Sequence, residues 1–155
     1  MARNGFFGVK NAHIARLTNE DTFMYEKPIH IPGTVEIKIE PSIEQSTSHG
    51  DNETWLDRYQ DNGGSITWSL YDIESTPELR ALLADIIGFD IDEKGRLLAT
   101  SGKTPKPFAF MCEQPGHVVG KRRCIYKCTS KPASVDAKTL EDKPDITQLD
   151  YDLTF

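Results

Sequence analysis

The 155-residue sequence predicts a mainly β protein, an antiparallel β-sandwich or partly closed barrel flanked by one α-helix. Three observations carry that expectation. Apolar residues alternate with polar ones in segment after segment, the period of strands that bury a single face. Pro and Gly punctuate those segments at Pro32-Gly33, Pro41, Gly63-Gly64, Pro105, Pro107, Pro115-Gly116, Pro132 and Pro144. One stretch, and only one, carries a helical period. A chain of this length is expected to form a single domain over 1–155 with a sizeable core.

The first alternating strand has Val35, Ile37 and Ile39 on one side and Glu36, Lys38 and Glu40 on the other. The stretch from Pro41 to Asn62 follows, with Glu44, Asp51, Glu53, Asp57 and Asp61 against Arg58 alone, a local net charge of −4. Its few apolar residues are Ile43, Trp55, Leu56 and Tyr59. It is expected to be a long acidic loop over about 44–63, and long loops in small domains usually have a functional reason. Ile66, Trp68 and Leu70 then alternate with Ser65, Thr67 and Ser69 as the next strand.

The helix is predicted over about 76–87. Ser75 and Glu78 have the spacing of a capping box, and Thr76 before Pro77 offers an alternative cap. Leu79, Leu82, Leu83, Ile86 and Ile87 form one apolar stripe, and Gly88 is placed to stop the helix. Asp90, Asp92 and Glu93 before Gly95 lack calcium-loop spacing and predict a turn into a short strand over Arg96 to Ala99. Phe108, Phe110 and Cys112 predict another strand, and Leu149, Tyr151, Leu153 and Phe155 the last.

From His117 to Lys131 the bases are Lys121, Arg122, Arg123, Lys127 and Lys131, with no acid among them. On a regular strand Lys121, Arg123 and Lys127 share one face, and Cys124, Tyr126 and Cys128 the other. An acidic segment and a basic segment on one chain are what a head-to-tail assembly needs. Glu44, Asp51, Glu53, Trp55 and Asp57 on one side, and Lys121, Arg123 and Lys127 on the other, are therefore the candidate contacts between copies.

The remaining composition narrows the function classes. The net charge of −6 argues against a protein that grips a nucleic-acid backbone, though not against one that lets nucleic acid slide past. No apolar run approaches the roughly 20 residues of a membrane span. The N-terminal residues lack the apolar centre of a signal peptide, so the chain is expected to be made and kept in a cytoplasm. Cys112, Cys124 and Cys128 contain no CxxC, and the four His residues are scattered, so buried or half-buried thiols are expected and no metal or cofactor is called for. No nucleophile elbow, zincin, P-loop or dinucleotide motif is present, so no catalytic residue is assigned and no enzyme is expected.

The order of these features resembles the major tail proteins of long-tailed, non-contractile phages. The resemblance runs through Gly8-Val9-Lys10-Asn11-Ala12-His13-Ile14-Ala15, the Ile31-Pro32-Gly33-Thr34-Val35 step and the acidic Ser48-His49-Gly50-Asp51-Asn52-Glu53. It continues through Gly63-Gly64-Ser65-Ile66-Thr67-Trp68-Ser69-Leu70, the Pro-Glu-led helix, the turn with Gly95, the strand from Pro105 to Phe110 and the strand from Arg122 to Tyr126. It implies a virion structural protein that forms hexameric rings, which stack into the tube conducting phage DNA. The implied partners are further copies of the chain, other tail proteins such as the tape measure and tail terminator, and transiting DNA without specific binding. The implied location is the virion tail, and the host cytoplasm during assembly. Two readings from other classes remain beside it. A β-sandwich binding module for carbohydrate or protein would use Trp55 and Tyr59 as an exposed platform. A small hydrolase would need two carboxylates converging in a concavity.

Overall fold

The computed structural model describes residues 8–71, 76–116, 120–131 and 148–155. The chain is mainly β, with antiparallel sheets and, among the described residues, one helix. The strands in chain order are β1 (Lys10–Asn19), β2 (Met24–Tyr25), β3 (Ile29–His30), β4 (Thr34–Gly50), β5 (Glu53–Tyr71), β6 (Asp90–Ile91), β7 (Leu97–Leu98), β8 (Phe108–Gln114), β9 (Lys121–Ser130) and β10 (Gln148–Thr154). The helix α1 spans Pro77–Ile87, between β5 and β6.

The main sheet runs β2-β1-β8-β9-β10-β5-β4, with β3 also paired to β1. Among the described residues its end strands β2 and β4 do not pair with each other, so these strands do not close a barrel. The alternation seen in the sequence explains where the core lies. Ile14 of β1, Ile66, Trp68 and Leu70 of β5, Phe108 and Phe110 of β8 and Leu153 of β10 all point inward and are buried. Trp68 lies 5.3 Å from the Phe110 ring and 5.6 Å from the Tyr151 ring, and so joins the β5 side of the sheet to the β8 side. Its indole N–H donates to Thr34 Oγ1 at 3.1 Å, so the one polar atom of that side chain is satisfied.

The helix adds its stripe of Leu79, Leu82, Leu83, Ile86 and Ile87 to the same core. Thr76 is the N-cap and accepts from the Leu79 N–H, while Gly88 ends the helix with φ of 76°. Ser75 lies outside the described residues. Arg16 on β1 donates to Asp85 Oδ2 at 2.7 Å, and Lys106 to Asp85 Oδ1 at 3.2 Å, which ties the helix to β1 and to the segment before β8. Burial pushes the Asp85 carboxyl upward, but the hydrogen bonds from Arg16 and Lys106 outweigh it and hold the group below the usual carboxylate range. A depressed carboxyl stabilises the fold above its unfolded value near 4 and loses that contribution as pH falls through the folded value. Asp85→Asn is therefore expected to cost about 1–2 kcal/mol at neutral pH. It should also flatten part of the loss of melting temperature below about pH 4. Thermal melts of both proteins from pH 7 to 3 check this. Asp90, Asp92 and Glu113 are also depressed, so the acid loss will not vanish altogether.

The turn between β6 and β7 is closed by Asp92, whose Oδ1 accepts from the Lys94 and Arg96 N–H groups. The short strand after it covers Leu97–Leu98, inside the expected Arg96 to Ala99.

Candidate functional site

The acidic stretch is where the structure departs most from expectation. Residues 44–63 do not form a loop. They are the outer halves of β4 and β5, paired from Ile43 opposite Asp61 to Gly50 opposite Glu53. The tip is a two-residue turn in which Asp51 and Asn52 have φ of 52° and 64°. Two left-handed central residues make a type I′ turn, whose twist matches the strands it joins, and Asp and Asn tolerate that conformation. The result is a hairpin arm that reaches roughly 30 Å from Pro41 to the tip at the rise of an extended strand.

The arm leaves the body at a bulge. Pro41 pairs with Gly64 while Ile43 pairs with Asp61, so β5 has one residue more than β4 there. Gly63, in that extra stretch, has φ of 78°. Such bulges bend and twist a ribbon, which here swings the arm off the sheet. Pro41 is tolerated because β4 is the edge strand among the described residues, where a missing N–H breaks no ladder.

Every residue from Ser42 to His49 and from Asp51 to Asn62 is exposed. The large apolar side chains stand in solvent: Trp55 is 77 % exposed, Tyr59 70 % and Ile43 63 %. Cross-strand pairing puts Ile43, Gln45 and Thr47 on one face with Asp57, Tyr59 and Asp61, and Glu44, Ser46 and Ser48 on the other with Leu56, Arg58 and Gln60. Gln45 Nε2 donates to the Tyr59 hydroxyl at 3.0 Å. Trp55 occupies a second bulge, between the Leu56–Ser48 and Thr54–His49 pairs, and its side chain lies beside Gly50 at the tip. Asp51, Glu53 and Trp55 are thus grouped at the tip, Asp57 lies a little further back, and Glu44 projects from the opposite face to Asp57.

The basic strand is corrected as well. Lys121, Arg123 and Lys127 do not share a face. Phe110 pairs with Ile125 and Phe108 with Cys128, so β9 holds an extra residue between them. Lys127 takes φ of 53° at that point. A bulge reverses the alternation beyond it. Lys121 and Arg123 therefore lie on the inward side, opposite Gln114 and Cys112, while Lys127 faces outward over the Phe23 ring at 4.4 Å. The same bulge separates the cysteines: Cys124 is exposed and Cys128 buried. Burial pushes the Cys128 thiol up to about 12, so it stays protonated and packs as a small apolar group.

Arg123 stands at the mouth of a cavity of about 330 Å³ between β4 and β8, with Val35, Ile37, Ile39 and Cys112 along its walls. Its Nε–H donates to Gln114 Oε1 at 3.3 Å. The structure therefore divides the eight candidate contact residues into an acidic arm with Trp55 at its tip, Lys121 and Arg123 on the inward side of β9 with Arg123 at the cavity, and Lys127 on the outer surface. No protein-family model matches the chain, and neither the curated proteins nor the solved structures contain a significant match.

Proposed function

We propose that the chain is a structural subunit that forms hexameric rings, stacked as a phage tail tube, with the arm as a principal contact between copies. The observation that carries this reading is the fully exposed arm with Trp55, Tyr59 and Ile43 in solvent. A two-stranded ribbon with no core of its own is marginal in water. Burying those side chains against a second surface would both order the arm and supply the affinity. The charges have the right signs for a copy of the same chain: a net of −4 on the arm, and Lys121 and Arg123 on β9 of the body. The number six, the stacking, and the tape-measure and terminator partners rest on the family resemblance. The overall negative charge suits a conduit along which DNA must not stick.

Light scattering on a sizing column, followed by negative-stain microscopy of the concentrated protein, tests the reading. Rings or tubes of uniform diameter are expected; a monomer at every concentration counts against it. Replacing Asp51 and Glu53 together by Lys should abolish stacking while moving the melting temperature by less than about 2 °C, since exposed charges contribute little to folding. Unchanged assembly in that variant would remove the arm's acids from the contact.

The exposure of Trp55 and Tyr59 equally favours a second reading, a binding module for carbohydrate or protein. A persistent monomer whose Trp fluorescence shifts with a glycan would support it.

A further inference from the structure

The four histidines are scattered along the sequence, but strand pairing brings two of them together. His13 on β1 lies directly opposite His30 on β3, and their ring centres are 5.0 Å apart. A zinc ion sits about 2.1 Å from an imidazole nitrogen, hence roughly 3.2 Å from the ring centre. Two imidazoles held around one tetrahedral ion therefore have centres about 5 Å apart. The observed spacing is one that allows both rings to ligate a single ion.

A second, independent feature prepares His13 for the role. Its Nδ1 is 2.8 Å from the carbonyl oxygen of Asn11. A carbonyl only accepts, so Nδ1 carries a proton, and in the neutral ring the lone pair is on Nε2. That arrangement, an imidazole oriented and polarised by a backbone carbonyl, is the usual support of a metal-bound histidine. The carbonyl is aimed by an irregular backbone: Asn11 has φ of 53°, and the β1–β8 register shifts between Lys10 and His13. Asn tolerates this conformation, so the backbone can turn the carbonyl toward His13 at little cost.

From these observations we infer that His13 and His30 form a two-imidazole site for a borderline divalent cation, Zn²⁺ or Cu²⁺, with water in the remaining positions. Among the described residues, no group of three or more His, Cys, Asp or Glu side chains is placed to hold a metal. The site is therefore an open, exchangeable one rather than a closed structural centre. His13 borders a cleft of about 570 Å³, whose other charged lining residues are Lys27, Glu113, Arg122 and Arg123. Positive charge disfavours every cation alike, so affinity and selectivity both rest on the two nitrogen donors. Cys124 is on the same face but two strands away, roughly 10 Å at the spacing of neighbouring strands, and is not a ligand. Because β3 has only two residues, a metal bridging it to β1 pins that strand and stabilises the folded state.

The test is titration of the protein with ZnCl₂, with MgCl₂ as control, followed by calorimetry, imidazole NMR resonances and thermal melts. Expected is saturable one-to-one zinc binding that shifts the rings of His13 and His30, leaves those of His49 and His117 in place, and raises the melting temperature. His30 is exposed, so His30→Ala should keep the fold, checked by its metal-free melt, and lose about tenfold or more in affinity. Cys124→Ser should bind as the parent does. Absence of zinc binding, undiminished binding by His30→Ala, or a shift confined to His49 or His117 would each overturn the proposal. The outcome is independent of whether the chain assembles into rings.

Discussion

Trp68→Ala is expected to cost about 3–5 kcal/mol, the range for deleting a large buried aromatic side chain. Trp68 is 1 % exposed and touches the Tyr151 ring on the neighbouring β10 and the Phe110 ring on β8, so its loss opens a void where the β5 and β8 sides meet. It also leaves the Thr34 hydroxyl without its donor. At roughly 2–4 °C per kcal/mol for a chain of this size, the melting temperature should fall by about 10 °C. Trp68→Phe keeps most of the volume and drops the N–H, so its cost should be nearer 1–2 kcal/mol. Denaturant unfolding of the three proteins measures both steps. Equal losses for Ala and Phe would mean that the indole hydrogen bond, not packing, dominates at this position.

Gly63→Ala should be the most damaging single-methyl addition among the left-handed glycines. A Cβ at Gly63 would lie 1.8 Å from the carbonyl oxygen of Phe155, and backbone cannot swing aside as a flexible side chain does. The neighbouring Gly64 is held between the N–H and C=O of Phe155, each hydrogen bond 3.1 Å long, so relief of the clash would peel the end of β10 from β5. Gly102 supplies the control. It too has positive φ, 88°, but a Cβ there meets nothing within 4 Å. Gly102→Ala should therefore cost only the conformational penalty of about 1–2 kcal/mol. The excess of the Gly63 variant over it, about 2 kcal/mol or more, isolates the steric contact. Equal unfolding midpoints for the two variants would contradict the close approach at Phe155.

These two sites also show what the sequence reveals. Trp68, Phe110, Leu153 and the helix stripe were legible because each lies in a segment with one apolar face, and burial of a face leaves a period. The helix was the plainest element, since its N-cap Thr76, its stripe and Gly88 agree. The arm was not legible as strand. Neither of its faces is buried, so nothing selects alternation, and a polar ribbon reads as loop. Its one local signal was the Asp51-Asn52 dipeptide, two residues suited to a left-handed turn. The bulges at Gly63 and Lys127 were hidden for a different reason. An extra residue changes which side of the sheet follows, and only the partner strand shows that it is extra. For that reason Lys127 and Arg123 were expected together and lie on opposite faces. The pairing of His13 with His30 depended likewise on long-range register.

The arm and the core place unrelated demands on the sequence. Below Gly63, a one-residue insertion would turn buried side chains outward. Beyond it, adding one residue to each strand would lengthen the ribbon by about 3.4 Å and leave the core register untouched. Reach can thus drift in small steps during evolution while foldability stays fixed, and arms of different length can be exchanged between otherwise similar bodies.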